Sequence, residues 1–268
     1  MCRLFAFRAN QPTGARAALV TAAHSLLRQS CGDRRGECHA DGWGIGHYLE
    51  AQPAVTLSTH PAASDPSYRA LAEEVAATTL LAHVRQASAG GVAERNCHPF
   101  RHGPWLFAHN GTVQGFSAAP ERLRELIPAH LRGFVGGETD SEHAFYFVLG
   151  LLGQAADAAT AGRVLAEAVA RLADMFPGTE AGPTRLNFVL TDGRVLAASR
   201  WGHTLYRAER RGAPGPDEDG PAQASPDYRA VLIASEPTSS GEGWAEVPER
   251  TLLLVDEGLR CTLSPIPV

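Results

Sequence analysis

The chain has 268 residues, an apolar share of 44% and a net charge of −5, which suits a globular protein with a sizeable core and offers no basic face to a nucleic acid. All 24 basic residues are arginine, so the chain can hold neither a Schiff-base cofactor nor a nucleotide through a P-loop lysine. The longest apolar run, from Ala144 to Leu152, is too short to cross a bilayer, no signal-peptide pattern is visible, and the five cysteines are an odd number; a cytoplasmic protein with reduced thiols is expected.

In chain order, the apolar residues 4–7 read as a strand that starts just after Cys2. Ala15, Ala18, Leu19, Ala22, Ala23, Leu26 and Leu27 recur at spacings of three and four, which predicts a helix capped by Thr13. A polar, glycine-rich stretch over 30–42 precedes strands at 43–48 and 55–57. Asp65-Pro66 places a capping residue and a first-turn proline at the start of a helix bearing Tyr68, Leu71 and Val75. Strands are expected at 79–84 and 105–109, around a long loop. Helices follow from Pro120, over 141–152 and over 158–172. Beyond Pro183 the pattern changes to successive strands at 186–190, 195–198, 205–207, 229–234, 251–255 and 260–263, with Asp192-Gly193 marking a hairpin. The Gly-, Pro- and acid-rich segment 210–226 reads as a mobile loop. Strands, then paired helices, then strands predict an α+β layered domain rather than an alternating doubly wound one. No linker divides the chain, so 1–268 is expected to form a single domain.

Chemistry-bearing residues fall in a few clusters. Cys2 follows Met1, and methionine aminopeptidase removes Met1 before a residue this small. The new terminus would carry a thiol and an α-amine, with ordinary pKa values of about 8.5 and about 7.7–8.0, which makes a nucleophile and a base on one residue. In His83-Val84-Arg85, the guanidinium can offer a bidentate fork to a carboxylate, or serve as a surface or salt-bridged arginine. Asn96-Cys97-His98-Pro99-Phe100 lies in the long loop. Adjacent side chains usually point apart, which argues against a Cys97–His98 pair, and the spacing of Cys31, Cys38, His39, Cys97 and His98 matches no compact zinc motif. His109-Asn110-Gly111 offers an amide and a glycine N–H to an oxyanion, or simply an Asn-Gly turn. In Glu138-Thr139-Asp140-Ser141-Glu142, Asp140 or Ser141 can cap a helix, and a carboxylate there can hold an ammonium group.

The order of Met1-Cys2-Arg3, Ala40-Asp41-Gly42-Trp43-Gly44, His83-Val84-Arg85, Asn96 to Phe100, His109-Asn110-Gly111 and Thr139 to Glu142 resembles the class II glutamine amidotransferases, which are N-terminal nucleophile hydrolases. Arg185-Leu186-Asn187, Trp201-Gly202 and Ser235-Glu236-Pro237 resemble the stand-alone branch, with its YafJ-like proteins and ergothioneine-pathway γ-glutamyl hydrolases. The resemblance implies a four-layer αββα sandwich. It makes Cys2 the nucleophile, Asn110 and Gly111 the oxyanion hole, Arg85 the binder of a substrate α-carboxylate and Asp140 of its α-ammonium. His83 and the Asn96–His98 loop would shape the pocket, and Trp43 would line it or belong to the core. No cofactor and no metal are implied.

The activity implied is hydrolysis of a γ-glutamyl amide, either glutamine or a small γ-glutamyl metabolite, through a thioester. The alternatives are a glutaminase subunit passing ammonia to a separate synthase, and a non-catalytic binding protein. A homo-oligomer or a synthase partner stays open.

Overall fold

The computed structural model describes residues 2–49, 51–153, 157–212, 218–223, 225–240 and 243–267. The first part of the chain forms β1 (Arg3–Gly14), a π-helical turn (Ala17–Thr21), α1 (Leu26–Cys31), β2 (Trp43–Tyr48), β3 (Ala54–Ser58), α2 (Pro66–Glu74), β4 (Ala76–Val84), β5 (Phe100–His102) and β6 (Trp105–Thr112). A helical stretch follows: α3 (Pro120–Arg124), α4 (Ala129–Arg132), α5 (Asp140–Leu152) and α6 (Ala158–Met175). After a short hairpin of β7 (Gly178–Thr179) and β8 (Gly182–Pro183) come β9 (Arg185–Thr191), β10 (Leu196–Arg200), β11 (Tyr206–Arg211), β12 (Arg229–Ala234), β13 (Ala245–Glu246), β14 (Thr251–Val255) and β15 (Cys261–Pro265).

Two large sheets result. One runs β13-β11-β12-β1-β4-β2-β3 and the other β15-β14-β10-β9-β6-β5. Strand alternation sets the layers. From β1, Leu4 and Ala6 meet Leu106, Ala108 and Val189 of the second sheet. Phe5 and Phe7 point the other way, onto Tyr68 and Ala72 of α2. On the far side of the second sheet, Phe107, Phe188 and Leu190 pack against Phe145 of α5 and Val164 and Leu165 of α6. The architecture is an α+β sandwich of four layers, αββα.

Most predicted elements form within a few residues of their expected bounds. The helix expected from Ala15 to Leu27 does not form as one piece. Thr13 lies inside β1, where its hydroxyl bonds the Tyr228 hydroxyl at 3.1 Å. The π-helical turn is capped instead by Asp219, whose carboxylate accepts from the N–H groups of Ala17 and Ala18 at 2.7 Å each. Ala22 then turns extended, and Ser25 caps α1 by accepting from Arg28 N at 3.4 Å. Helical periodicity survives because both pieces bury the same apolar side. The cap of α5 also differs from expectation: it is Thr139, which accepts from Glu142 N at 3.1 Å.

Of the segment read as a mobile loop, 213–217 and 224 lie outside the described residues. Where it is described, β11 continues to Arg211, Asp219 is buried, and Gly14 N donates to Gly220 O at 3.1 Å. No helix among the described residues is long and apolar enough to cross a membrane.

Candidate active site

Cys2 stands immediately before β1, which lies between β4 and β12 in its sheet. Leu4 pairs with His83, and Arg3 with Val84, so the start of β1 meets the end of β4. There the Cys2 thiol, half-buried, sits 3.4 Å from both the carbonyl and the amide nitrogen of Gln86. Burial pushes the thiol pKa up; the Gln86 N–H and the Arg85 charge draw it down, and the Asp140 charge raises it. Met1 lies outside the described residues.

Arg85 follows β4 directly. Its backbone is fixed by Gly42 O (2.8 Å) and Asp41 N (3.0 Å) from the lead-in to β2. The residue is only 2% exposed. It donates to the carbonyls of Ala89 (2.9 Å), Gly91 (3.1 Å) and Gly90 (3.3 Å), and no carboxylate among the described residues forms an ion pair with it. A buried cation held by neutral carbonyls retains a strong preference for an incoming anion.

Asp140 is the first residue of α5 and is also buried. One carboxylate oxygen accepts from Val113 N at 2.6 Å and the other from Ser141 N at 2.9 Å. Ser141 Oγ lies 2.9 Å from His109 Nδ1, and His109 Nε2 lies 2.8 Å from Arg185 O. The carboxylate is thereby tied to the β6–β9 pair.

Asn110 and Gly111 lie near the end of β6, facing Asn187 and Leu186 of β9. Asn110 Nδ2 donates to Ser235 Oγ at 3.1 Å, and that hydroxyl also accepts from Leu4 N at 3.1 Å. One amide hydrogen of Asn110 thus fixes the side chain and leaves the other to donate elsewhere. At Gly111, a Cβ would collide with the Arg185 carbonyl and the His109 ring. Only glycine lets β6 approach β9 this closely.

His83 lies in β4, two residues before Arg85, and His98 packs on it with ring centroids 4.2 Å apart. Both are buried. Burial drives the His83 pKa down to about 3 and that of His98 well below its ordinary value, so both rings are neutral. The sheet makes room for them at Gly44, where a side chain would strike the His98 carbonyl. Cys97 points away from His98, toward the carbonyls of Ser58 and Ala93 at 3.6 Å each, and burial pushes its thiol up to about 11. The two do not form a thiol–imidazole pair. No group of three His, Cys, Asp or Glu side chains among the described residues is placed to hold a metal.

Trp43 requires a correction. It does not line the site. Its ring is fully buried on the helix-facing side of β2, edge-on to Tyr68 at 5.1 Å, with Nε1 donating to Asp65 Oδ2 at 3.0 Å. Strand parity decides this: Gly44 and Gly46 take the face toward the second sheet, so Trp43 and Ile45 take the other.

Two further residues, Ser235 and Arg3, contribute that sequence reasoning does not single out, although each stands inside one of the motifs above. Ser235 orients Asn110. Arg3 is buried, bonds the Cys2 carbonyl at 2.9 Å and pairs with Asp33 and Glu236. Asn96 joins two loops: its Nδ2 donates to Gly91 O at 2.9 Å, and its Oδ1 accepts from Glu138 N at 3.0 Å.

The family model for "Glutamine amidotransferases class-II" matches residues 1–266. The chain belongs to the class II glutamine amidotransferases. It is 28% identical over 291 residues to the probable glutamine amidotransferase DUG3 of Saccharomyces cerevisiae, covering 95% of this chain and 82% of that one. It is 30% identical over 236 residues to the γ-glutamyl-hercynylcysteine sulfoxide hydrolase of Mycobacterium tuberculosis, covering 87% and 83% respectively. The structure of a class II domain protein from Silicibacter pomeroyi superposes along the full length of both chains, with a TM-score of 0.64 at 22% identity, and shares the fold. The class II amidotransferase is thus an amidohydrolase-type enzyme of the stand-alone branch.

Proposed function

We propose that this class II amidotransferase hydrolyses a γ-glutamyl amide through a thioester on Cys2. The observation that carries the reading is the meeting, at one end of the sandwich, of three groups. They are the Cys2 thiol, a buried guanidinium with no carboxylate partner among the described residues, and a buried carboxylate. Both Arg85 and Asp140 are close enough to shift that thiol. An amino-acid head group needs one anion acceptor and one cation acceptor, and Arg85 and Asp140 supply them. The mycobacterial relative, a γ-glutamyl hydrolase by name, supports the same substrate class.

With Met1 removed, the α-amine of Cys2 takes the thiol proton, and sulfur attacks the side-chain carbonyl carbon of the γ-glutamyl group. Asn110 Nδ2 and the Gly111 N–H stabilise the resulting oxyanion. The amine returns the proton to the departing nitrogen, the C–N bond breaks, and a γ-glutamyl thioester remains. Water, deprotonated by the same amine, cleaves the thioester to glutamate and restores the thiol.

Glutamate release by the purified protein from glutamine and from a panel of γ-glutamyl amides tests this, with Cys2→Ala as control. Turnover that vanishes in the variant is expected. No release from any substrate by protein shown to lack Met1 would overturn the reading. Weak glutamine hydrolysis that a co-purifying synthase stimulates would support the ammonia-supplying alternative.

A further inference from the structure

Between α1 and β2 the chain doubles back on itself, and Asp33 fixes the turn. Gly36 N donates to Asp33 O at 2.9 Å, and Asp33 Oδ1 accepts from the N–H groups of Arg35 (2.8 Å) and Glu37 (3.0 Å). Two backbone bonds tie the arms together. Asp33 N donates to Glu37 O at 3.1 Å near the tip, and His39 N donates to Ser30 O at 2.9 Å at the base. Cys31 and Cys38 lie between these ties, each one residue inside the base. Cys38 Sγ is 2.8 Å from the Cys31 carbonyl oxygen, so the thiol already rests on the residue opposite it.

Residues that face each other across antiparallel arms stand about 4.5–5.5 Å apart, inside the range of about 4.4–6.8 Å that a disulfide spans. Both cysteines are free thiols and both are exposed, whereas Cys97 is buried and Cys2 and Cys261 are half-buried. Neither Cys31 nor Cys38 has a part in the proposed γ-glutamyl chemistry. Access and proximity are what thiol oxidation to a disulfide requires.

We infer that Cys31 and Cys38 form an oxidation site, a dithiol that a peroxide converts to an intramolecular disulfide and that an external thiol restores. One thiolate attacks a peroxide oxygen: the S–O bond forms, the O–O bond breaks, and the departing hydroxide takes a proton and leaves as water. The second thiolate attacks the sulfenic sulfur: the S–S bond forms, the S–O bond breaks, and a second water leaves. The two sulfurs together give up two electrons, and the peroxide oxygens receive them. The ring so closed, residues 31–38, encloses Asp33. That carboxylate pairs with the buried Arg3, which bonds the Cys2 carbonyl at 2.9 Å. The crosslink stiffens the loop that backs the nucleophile, and it stabilises the fold because the existing ties already hold the two arms together.

Treating the native protein and Cys2→Ala with one equivalent of hydrogen peroxide tests this. Trypsin cuts after Arg34 and Arg35, between the two cysteines, so in reduced protein they fall in separate peptides, 29–34 and 36–69. Oxidised protein should weigh two mass units less and yield these peptides joined, and a reducing agent should part them. Closing a ring of this size should raise the melting temperature of Cys2→Ala by about 5 °C over its reduced form. The joined peptides and the rise should both disappear in Cys31→Ser and Cys38→Ser, which replace exposed residues and should fold. Oxidation that yields other pairings or sulfinic acids without the 31–38 link would overturn the inference. A 31–38 link that leaves the melting temperature level or lower would refute it too, because the loop would then have to distort to close.

Discussion

Removing the Asn96 side chain should weaken substrate binding even though Asn96 itself reaches no substrate. Its Nδ2 bonds Gly91 O at 2.9 Å, and Gly91 O is one of the three carbonyls that hold the Arg85 guanidinium. Its Oδ1 accepts from Glu138 N at 3.0 Å, two residues before Asp140. One fully buried amide thus sets the distance between both arms of the proposed head-group clamp. Asn96→Ala takes the acceptor away from Glu138 N, at about 1–3 kcal/mol, and one of two donors from Gly91 O, which keeps Arg85, at about 0.5–1.5 kcal/mol. If roughly half of that total is felt at the clamp, KM for a γ-glutamyl substrate rises about five- to thirtyfold. The kcat, set by Cys2 and the oxyanion donors, should change far less. Steady-state kinetics with thermal melts gives both numbers. A lower melting temperature with unchanged KM would refute the reasoning and reduce Asn96 to a loop staple. A fall in kcat alone would place its effect on Cys2 rather than on the clamp.

Arg85→Ala should raise KM by about tenfold or more and lower kcat as well, because the guanidinium also draws the Cys2 pKa down; an unchanged KM in steady-state assays would mean that the α-carboxylate is held elsewhere. Trp43→Ala should cost about 3–5 kcal/mol of stability in denaturant titrations with no change in KM, since the ring packs on Tyr68 away from the site. Acid should unfold the protein. His83 and His98 are neutral when folded and would take up protons when unfolded, so stability is full above about pH 6.5 and falls by about 1.4 kcal/mol per histidine for each pH unit below that, toward the folded His83 value of about 3. Thermal melts that stay level between pH 6.5 and 4.5 would contradict the neutral pair.

The legible parts of the sequence were those decided locally. Asp65-Pro66 begins α2, with Asp65 accepting from Ser67 N at 2.9 Å, and Asp192-Gly193 turns the β9–β10 hairpin, with Asp192 accepting from Arg194 N at 2.9 Å. The residues of the proposed clamp and oxyanion hole were legible because their motif order resembles that of a family. What escaped depends on distant partners. The cap on the π-helical turn comes from Asp219, about 200 residues away, so Thr13 could not be rejected on local grounds. Trp43 was ambiguous because motif membership does not fix strand parity, and parity is set only once β2 pairs with β4. Ser235 stood in plain view within Ser235-Glu236-Pro237, yet its link to Asn110 requires β12 to lie beside β1, under the end of β6.

The electrostatics around Cys2 bear on how its thiol becomes reactive. Burial raises its pKa, and the two neighbouring charges act on it in opposite senses, Arg85 lowering it and Asp140 raising it. A zwitterionic head group seated between them would set its carboxylate on Arg85 and its ammonium on Asp140, muting both influences at once. The substrate would also displace water, which favours the neutral thiol further. Substrate binding through this clamp therefore offers the sulfur no net electrostatic help. The activating base has to come from another group, and the neighbouring histidines are poorly placed for that role. His83 and His98 are stacked on each other, and His109 bonds Ser141 and Arg185 O. An α-amine on Cys2 itself, with an ordinary pKa of about 7.7–8.0, meets the requirement without any further side chain. In the proposed mechanism, turnover therefore depends on Met1 removal. Full-length protein retaining Met1 should bind γ-glutamyl substrates and fail to turn them over, and equal turnover by the two forms, with mass spectrometry confirming each terminus, would refute the role given to the amine.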